Sequence, residues 1–422
     1  MKEHRAPARP LIWLALFVSC GTASQGQTDS ADATQALREG KLSRWLSFDQ
    51  LSLNSTYRRS FNTYGRSVFD DAQQQIAIKG KVKLDKNGKY FIGFRTSAGT
   101  GFNWSYSKFA ADETQSALSS GDSEFPGEKI LQLKQILQAD PMARTLFSGS
   151  SGAAWSTTVR DLYLSASPGD FLTFQFGAMP ILQGDGSSIT GFDDQQNVLG
   201  GRISLNAKPR LWLDSLSATV GYLGDPLTPN LFDRGERFTQ TNYWQVAAEK
   251  HLGKFTQMSL DYTNLQHTHT WREALSLNVH KTKLLDSVRG EMYERTNDVL
   301  MAAYTANAAN GWAISGFKSV DRNRLTVGGG FSDIDPDYGV YTGSSLLTVV
   351  GFPVNSGAYQ IGERYFGQAE LKVTTYLSFI TFFTHEINAN RSPLYFDFNR
   401  QGLNAGMRFD FGNILSDKLH LY

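Results

Sequence analysis

A strict alternation of apolar and polar residues recurs along this chain. In QIAIKGKVKL, residues 75–84, four aliphatic side chains fall on one side of an extended chain and three lysines on the other. The same period of two is found at residues 172–178, 202–206, 257–263 and 403–412. It predicts β-strands with one apolar and one polar face. The fold must therefore offer each strand two different environments.

The joins between the predicted strands are alternately short and long. Short joins contain turn-forming residues, as at 85–88 and 167–170, whereas long polar segments are predicted at 58–72, 106–153, 181–196, 224–240, 266–270 and 335–363. Transmembrane barrels have short turns at the periplasmic end and long outer loops, an asymmetry that a water-soluble sandwich does not need. We predict an all-β fold, a transmembrane antiparallel up-and-down β-barrel with long extracellular loops. About 16 strands are expected, with 14–18 as the open range.

The weakest part of this strand assignment is residues 266–297, where the periodicity fades. The tenth strand is predicted near 271–280, and the eleventh near 298–307. A strand in this region is the one most easily missed or misplaced.

Residues 1–26 have the pattern of a secretory signal peptide. A basic start precedes an apolar run from Leu11 to Val18, and the small-residue stretch GTASQG follows. The run is too short to cross a bilayer as a helix, which takes roughly 20 residues. Two alternatives remain for its end, cleavage near residues 24–26 or lipidation of Cys20. We divide the rest into a short periplasmic segment, 27–45, and the barrel, 46–422.

Overall composition narrows the range of functions. The formal net charge is +1, which gives no reason to expect a nucleic-acid partner. Cys20 is the single cysteine, so no disulfide framework can form and the stability must come from the sheet itself.

Two stretches resemble porin-type outer-membrane proteins of Gram-negative bacteria. Residues 159–177 are similar to a hairpin in which an acidic–aromatic strand leads through a tight turn into a Leu-Thr-x-x-x-Gly strand. RFDF at 408–411 and the terminal Tyr422 resemble the aromatic C-terminal strand signal, although 413–422 adds a tail. The resemblance implies a barrel in contact with outer-membrane lipid that passes small hydrophilic solutes. It leaves a homotrimer open.

The polar faces of these strands supply candidate pore-lining residues, because a lysine at mid-bilayer on the lipid face costs about 2–4 kcal/mol. The candidates are Lys79, Lys81, Lys83, Arg95, Arg202, Arg408 and Asp410. A ring of cations would favour small anions in the pore. Alternatively, carboxylates on other strands balance these charges; they are Asp161, Glu249, Asp261, Glu370 and Asp410 itself.

The segment 106–153 is too long for an ordinary loop and contains an amphipathic stretch at 127–138. Either it folds into the barrel and narrows the channel, or it caps the mouth or packs on a neighbouring subunit.

The expected function is a porin-like outer-membrane channel for diffusion of small hydrophilic solutes. The alternatives are an export channel for a polymer and a non-conducting adhesion or structural barrel. An enzyme is not expected, because no serine motif marks a nucleophile. No cofactor or metal is expected either, since His267 and His269 lack an evident third ligand.

Overall fold

The structure of the protein is a computed structural model. It describes residues 45–61, 67–100, 155–184, 197–206, 212–223, 230–265, 268–279, 284–297, 308–321, 323–334, 340–341, 349–350, 362–387 and 401–412. The predicted signal peptide, nearly all of the 27–45 segment and the 106–153 segment lie outside these residues.

Most of the described residues belong to β-strands. In chain order these are β1 (Leu46–Phe61), β2 (Ser67–Lys83), β3 (Tyr90–Thr100), β4 (Ser156–Gly169), β5 (Leu172–Pro180), β6 (Asn197–Asn206), β7 (Ser215–Leu223), β8 (Tyr243–Leu252), β9 (Thr256–Leu265), β10 (Thr268–Asn278), β11 (Ser287–Asn297), β12 (Ala308–Val320), β13 (Leu325–Ile334), β14 (Val340–Tyr341), β15 (Val349–Val350), β16 (Gly362–Lys372), β17 (Leu377–Glu386) and β18 (Gln401–Asp410). A short helix, α1 (Leu231–Arg234), and a 3-10 turn, Gly235–Arg237, lie between β7 and β8.

Sixteen of these strands, β1–β13 and β16–β18, form one closed barrel in which every neighbouring pair is antiparallel. The strands follow one another around the barrel in chain order, and β18 pairs with β1 from Ser52↔Asp410 to Phe61↔Gln401 to close it. The remaining two, β14 and β15, pair only with each other. The predicted 16-stranded up-and-down barrel is confirmed. Closure leaves the described barrel sheet without an unpaired edge strand.

Two details of the strand assignment differ from the sequence prediction. The eleventh strand is Ser287–Asn297, which pairs with β10 and β12, and not the range 298–307, which lies outside the described residues. Gly290 and Glu294 interrupt the apolar outward face of β11, so the sequence of this strand lacks a clear alternation of apolar and polar residues. In addition, β1 and β2 extend into the predicted loop 58–72, so that their ladder ends at Phe61↔Ser67.

The register divides the barrel residues into two faces, because directly paired residues on neighbouring strands lie on the same side of a sheet. One face exposes large apolar side chains, among them Ile76, Leu164, Phe176, Val220, Trp271, Phe379 and Met407. The other face contains buried polar residues such as Asp161, Arg202, Asp261 and Arg272. We call the first face outward and the second inward. An apolar exterior around a polar interior is the arrangement that transmembrane barrels require.

Among the described residues, no helix is both long and apolar enough to cross a membrane.

Candidate pore lining

All seven residues predicted to line the pore fall on the inward face by register. Lys79 pairs with Arg95, which pairs with Asp161 on β4. Lys81 and Lys83 follow Lys79 at alternate positions on β2. Arg408 and Asp410 lie on the same face. Asp410 pairs with Ser52 of β1, and Ser52 pairs with Ala77 of β2, which is two positions before Lys79. Arg408 is two positions before Asp410 on β18.

The structure brings six of the seven to one sector of the wall, the strands β18, β1, β2 and β3. Arg202 is separate from them. It lies on β6, paired with Gln175 of β5 and Thr219 of β7. The predicted set is therefore not a single ring of charges.

Contacts differ within the sector. The Arg95 Nε atom lies 2.8 Å from Asp161 Oδ2, and the Asp161 side chain is buried. Lys81 Nζ lies 3.2 Å from Asp49 Oδ2 in a half-exposed pair. Lys79 is exposed and has no carboxylate within 4.0 Å among the described residues. The sector thus forms one buried ion pair with Asp161 of the adjacent strand β4, and it contains at least one lysine whose charge faces open space.

Arg202 has a different role. Its Nε donates to Thr219 Oγ1 at 2.9 Å and its Nη1 to Gln175 Oε1 at 3.2 Å. Its Nη2 donates to the carbonyl oxygen of Pro180 at 2.6 Å. The guanidinium therefore holds the end of β5 at the point where the chain leaves the wall.

Residues 181–184, which follow β5, fold into the barrel; we call them the lumen strap. Gln245, an inward residue of β8, donates from Nε2 to the Leu182 carbonyl oxygen at 2.8 Å. Ile181 joins a buried apolar cluster on the inward face, made up of Ile181, Val198, Leu223, Tyr243 and Leu265. The strap thus lies against β6–β9 and narrows the lumen on this side.

A buried ion pair supports the wall beneath the strap. Arg272 Nη2 lies 2.5 Å from Asp261 Oδ1, and Arg272 Nε donates to the same oxygen at 3.0 Å. Both side chains are only 3% exposed. Asp261 also accepts a hydrogen bond from Gln245 Nε2, the group that holds the strap. Ion pair and strap therefore form one hydrogen-bonded unit.

The sequence prediction missed several inward charges. Arg272 could have been predicted, because alternation along the predicted strand 271–280 places it on the polar face, opposite to the face of Trp271. Arg289, Glu291 and Arg295 could not be found in this way, because they lie on β11 and the sequence pattern predicts that strand at 298–307.

The strand register places seventeen charged residues with described side chains on the inward face, of which eleven are basic and six are acidic. The basic ones are Lys79, Lys81, Lys83, Arg95, Arg202, Arg272, Arg289, Arg295, Arg364, Lys372 and Arg408. The acidic ones are Asp161, Glu249, Asp261, Glu291, Glu370 and Asp410.

Potential metal ligands are dispersed in the part of the chain that the structure describes. Within these ranges, no three His, Cys, Asp or Glu side chains come close enough to share a metal ion. His269 Nδ1 lies 2.7 Å from the Tyr262 hydroxyl, and His267 is outside the described residues. A hydroxyl partner gives His269 an ordinary hydrogen-bonding role.

The described barrel is thus a closed up-and-down β-barrel of 16 antiparallel strands, with an apolar outward face and a charged inward face. No protein-family model and no curated protein matches the chain. Among solved structures, it is similar to Pseudomonas putida OprB at low pH, with 12% identity, 92% of this chain and 100% of that one covered, and a TM-score of 0.45. It is similar to Salmonella typhi OmpF in complex with daunomycin, with 9% identity, 87% and 97% coverage and a TM-score of 0.49. Acinetobacter baumannii OccAB3 matches with 12% identity, 86% and 98% coverage and a TM-score of 0.49.

Proposed function

We propose that the protein is an outer-membrane channel through which small hydrophilic solutes diffuse. The observation that carries this proposal is the division of one closed barrel into an apolar outward face and a charged inward face. Only a membrane gives the outward apolar side chains a favourable surrounding on all sides. The charged interior then provides a hydrated path, narrowed by the lumen strap. On this proposal residues 1–26 direct export and 27–45 lie in the periplasm.

We further propose that the channel favours anions. Among the inward side chains that the structure describes, basic residues outnumber acidic ones, and Asp161 and Asp261 are paired with Arg95 and Arg272. Each of these pairs cancels one basic and one acidic charge, so nine basic and four acidic residues remain of the eleven and six. This excess of positive charge raises the local concentration of small anions. The seven predicted residues are proposed to line this path, and the sector on β1–β3 and β18 supplies most of its field.

Planar-bilayer recording tests both proposals. The full chain should conduct, and its reversal potential in a KCl gradient should have the sign for chloride. The triple variant Lys79→Gln, Lys81→Gln and Lys83→Gln should move the reversal potential towards zero. The control, Lys86→Gln with Lys254→Gln, changes turn residues beyond the strands and should leave it unchanged.

The outcomes separate the alternatives. A cation-selective wild type would contradict the anion preference but not the channel. A barrel that inserts without conducting would contradict the channel and favour an adhesion or structural barrel. Recovery of the protein from the periplasm without detergent would contradict the membrane location. Cross-linking in the membrane decides the oligomeric state and tests the homotrimer that the resemblance leaves open.

A further inference from the structure

The outward face contains one feature that a plain barrel wall does not need. The segment from Asn230 to Gln240, which follows β7, lies over the outside of β4–β6. Asn230 Oδ1 accepts a hydrogen bond from the backbone N–H of Val159 at 3.3 Å, and Phe238 meets Phe176 edge to face at 5.2 Å between ring centroids. We call this segment the outer flap.

Beneath the outer flap runs a single row of paired outward residues, Leu162, Ala178, Leu199 and Tyr222, on four successive strands. Ala178 and Leu199 face outward and are nevertheless only 0% and 3% exposed, because the outer flap covers them. Such burial is unlike that of the neighbouring outward residue Phe176, which is 57% exposed.

The outer flap does not close fully on this row. A pocket of about 320 Å³ remains between them, lined by Leu162, Ala178, Leu199, Leu231, Phe232 and Phe238. This volume lies within the range of ligand pockets, roughly 300–1,000 Å³. Apart from backbone groups, its lining is apolar. It suits a hydrocarbon chain and offers a polar ligand no side-chain partner.

The outward face beside the pocket is also open. Gly201 is the next outward position after Leu199 on β6, between Phe176 of β5 and Val220 of β7. A Cβ atom at Gly201 would meet only the Gln175 carbonyl oxygen, at 3.9 Å. The missing side chain therefore leaves open space on the wall between the exposed Phe176 and Val220, next to the pocket residue Leu199. We call this open space the furrow.

A basic group lies at the rim of the same pocket. The Arg237 guanidinium is stacked over the Tyr222 ring at 5.8 Å from its centroid, and Tyr222 is the cross-strand partner of Leu199. Arg237 also donates to Gln240 Oε1 at 3.2 Å and is exposed to solvent. An apolar slot with an adjacent guanidinium is complementary to a lipid that has a phosphate above its acyl chains.

We propose that the outer flap and the row beneath it form a binding site for an anionic lipid of the outer leaflet. The outer flap follows β7, which runs in the same direction as β3 and β5. Because β3 and β5 lead into the long joins 106–153 and 181–196, the outer flap lies at the same end, which is the extracellular end of such a barrel. The lipid there is lipopolysaccharide, and we assign the occupant as one acyl chain of its lipid A, with a phosphate at Arg237. This assignment rests on the proposed outer-membrane location.

A photoreactive lipid A, with a diazirine on one acyl chain, tests the site on the full chain in mixed micelles. Label mapped by peptide mass spectrometry should concentrate in residues 159–178, 197–206 and 230–240. In Gly201→Leu the new side chain fills the furrow without a backbone clash, so the label should be lost from these peptides. The matched control is Gly290→Leu, since Gly290 is outward on β11 and also has open space around it.

Arg237→Gln tests the phosphate contact separately. Titration with lipid A, followed by native mass spectrometry, should show about tenfold weaker binding, as expected for the loss of one charge-assisted hydrogen bond. Arg324→Gln, a change at an exposed turn at the opposite end of the barrel, should bind as the wild type does.

Several results would overturn the assignment: label spread evenly around the barrel, labelling of Gly201→Leu at the wild-type level, or equal binding of phosphatidylglycerol and lipid A. Cross-links between two chains at Phe232 in place of lipid label would show that a second copy occupies the groove. Conductance of the same preparations is recorded in parallel. A conducting barrel without localised label would contradict the lipid site but not the channel. A barrel that is labelled at the site but does not conduct would contradict the channel but not the lipid site.

Discussion

Removal of Arg272 is the most direct test of how the inward wall is held together. Arg272→Met keeps the aliphatic stem of the side chain but leaves the Asp261 carboxylate, 3% exposed, without its guanidinium partner. Breaking a buried ion pair from one side costs about 3–5 kcal/mol, because the remaining charge is desolvated and uncompensated. We expect the free energy of unfolding to fall by that amount.

A double variant isolates the charge from the packing. Asp261→Asn with Arg272→Met leaves neither charge of the pair in the wall, and the new amide oxygen at position 261 can still accept from Gln245. The loss should then shrink to about 1–2 kcal/mol, the cost of hydrogen bonds to the missing guanidinium. Lys81→Met is the exposed counterpart. Its pair with Asp49 has side chains that are 38% and 33% exposed, so its removal should cost at most about 1 kcal/mol.

Equilibrium unfolding in urea of the barrel reconstituted in lipid vesicles, followed by tryptophan fluorescence, measures these differences. Fusion of the same vesicles with a planar bilayer gives a second readout, the open-channel current. Asp261 accepts a hydrogen bond from the Gln245 amide that also bonds to the lumen strap. Arg272→Met should therefore also increase the open-channel current noise. If Arg272→Met unfolds within about 1 kcal/mol of the wild type and no differently from Lys81→Met, the reasoning on the buried pair is refuted.

Three further predictions concern the wall, the strap and the short-turn end. Gly200→Ala should destabilise the barrel by about 1–3 kcal/mol, because its Cβ would lie 2.1 Å from a backbone oxygen, whereas Gly201→Ala should be within about 0.5 kcal/mol of the wild type in the same unfolding assay. Gln245→Leu removes the donor to the lumen strap and should raise single-channel conductance in planar bilayers; an unchanged conductance would show that the strap does not limit the current. Asp214→Ala removes the acceptor of the His251 backbone N–H, at 2.6 Å, and should speed hydrogen exchange at that amide by about five- to tenfold, with distant strands unaffected.

Strand number and facing were predictable where apolar side chains recur at alternate positions of a strand, as Leu199, Ile203 and Leu205 do on β6. The prediction for β6, residues 197–206, coincides with Asn197–Asn206. On β11 the outward positions include Gly290 and Glu294. The sequence therefore lacks the alternation of apolar and polar residues from which a strand is predicted. A strand of this kind is defined by its neighbours, since β10 and β12 supply its hydrogen-bond partners along the full length.

The side-chain contacts of the inward charged residues were less predictable than the face of the sheet on which these residues lie. Periodicity places Arg202 on the polar face, but it does not reveal that the guanidinium binds Thr219 and the Pro180 carbonyl oxygen. Those contacts depend on the register between strands, which turns and packing determine together. The outer flap was outside the reach of the sequence pattern altogether. The sequence pattern predicts only a polar loop at 224–240, and the position of its described part, residues 230–240, on the outer wall depends on side chains of β4–β6.

The seam between β1 and β18 has a kinetic consequence. Ser52 and Asp410 are direct partners, although nearly the whole barrel lies between them in the chain. Contacts of such sequence separation form late, because the entropy of closing the loop precedes any gain from pairing. Until that moment β1 and β18 are both free edges, and free edges recruit other strands. The rate at which the seam closes, and the protection of these two strands before it does, should therefore set the yield of assembled barrel.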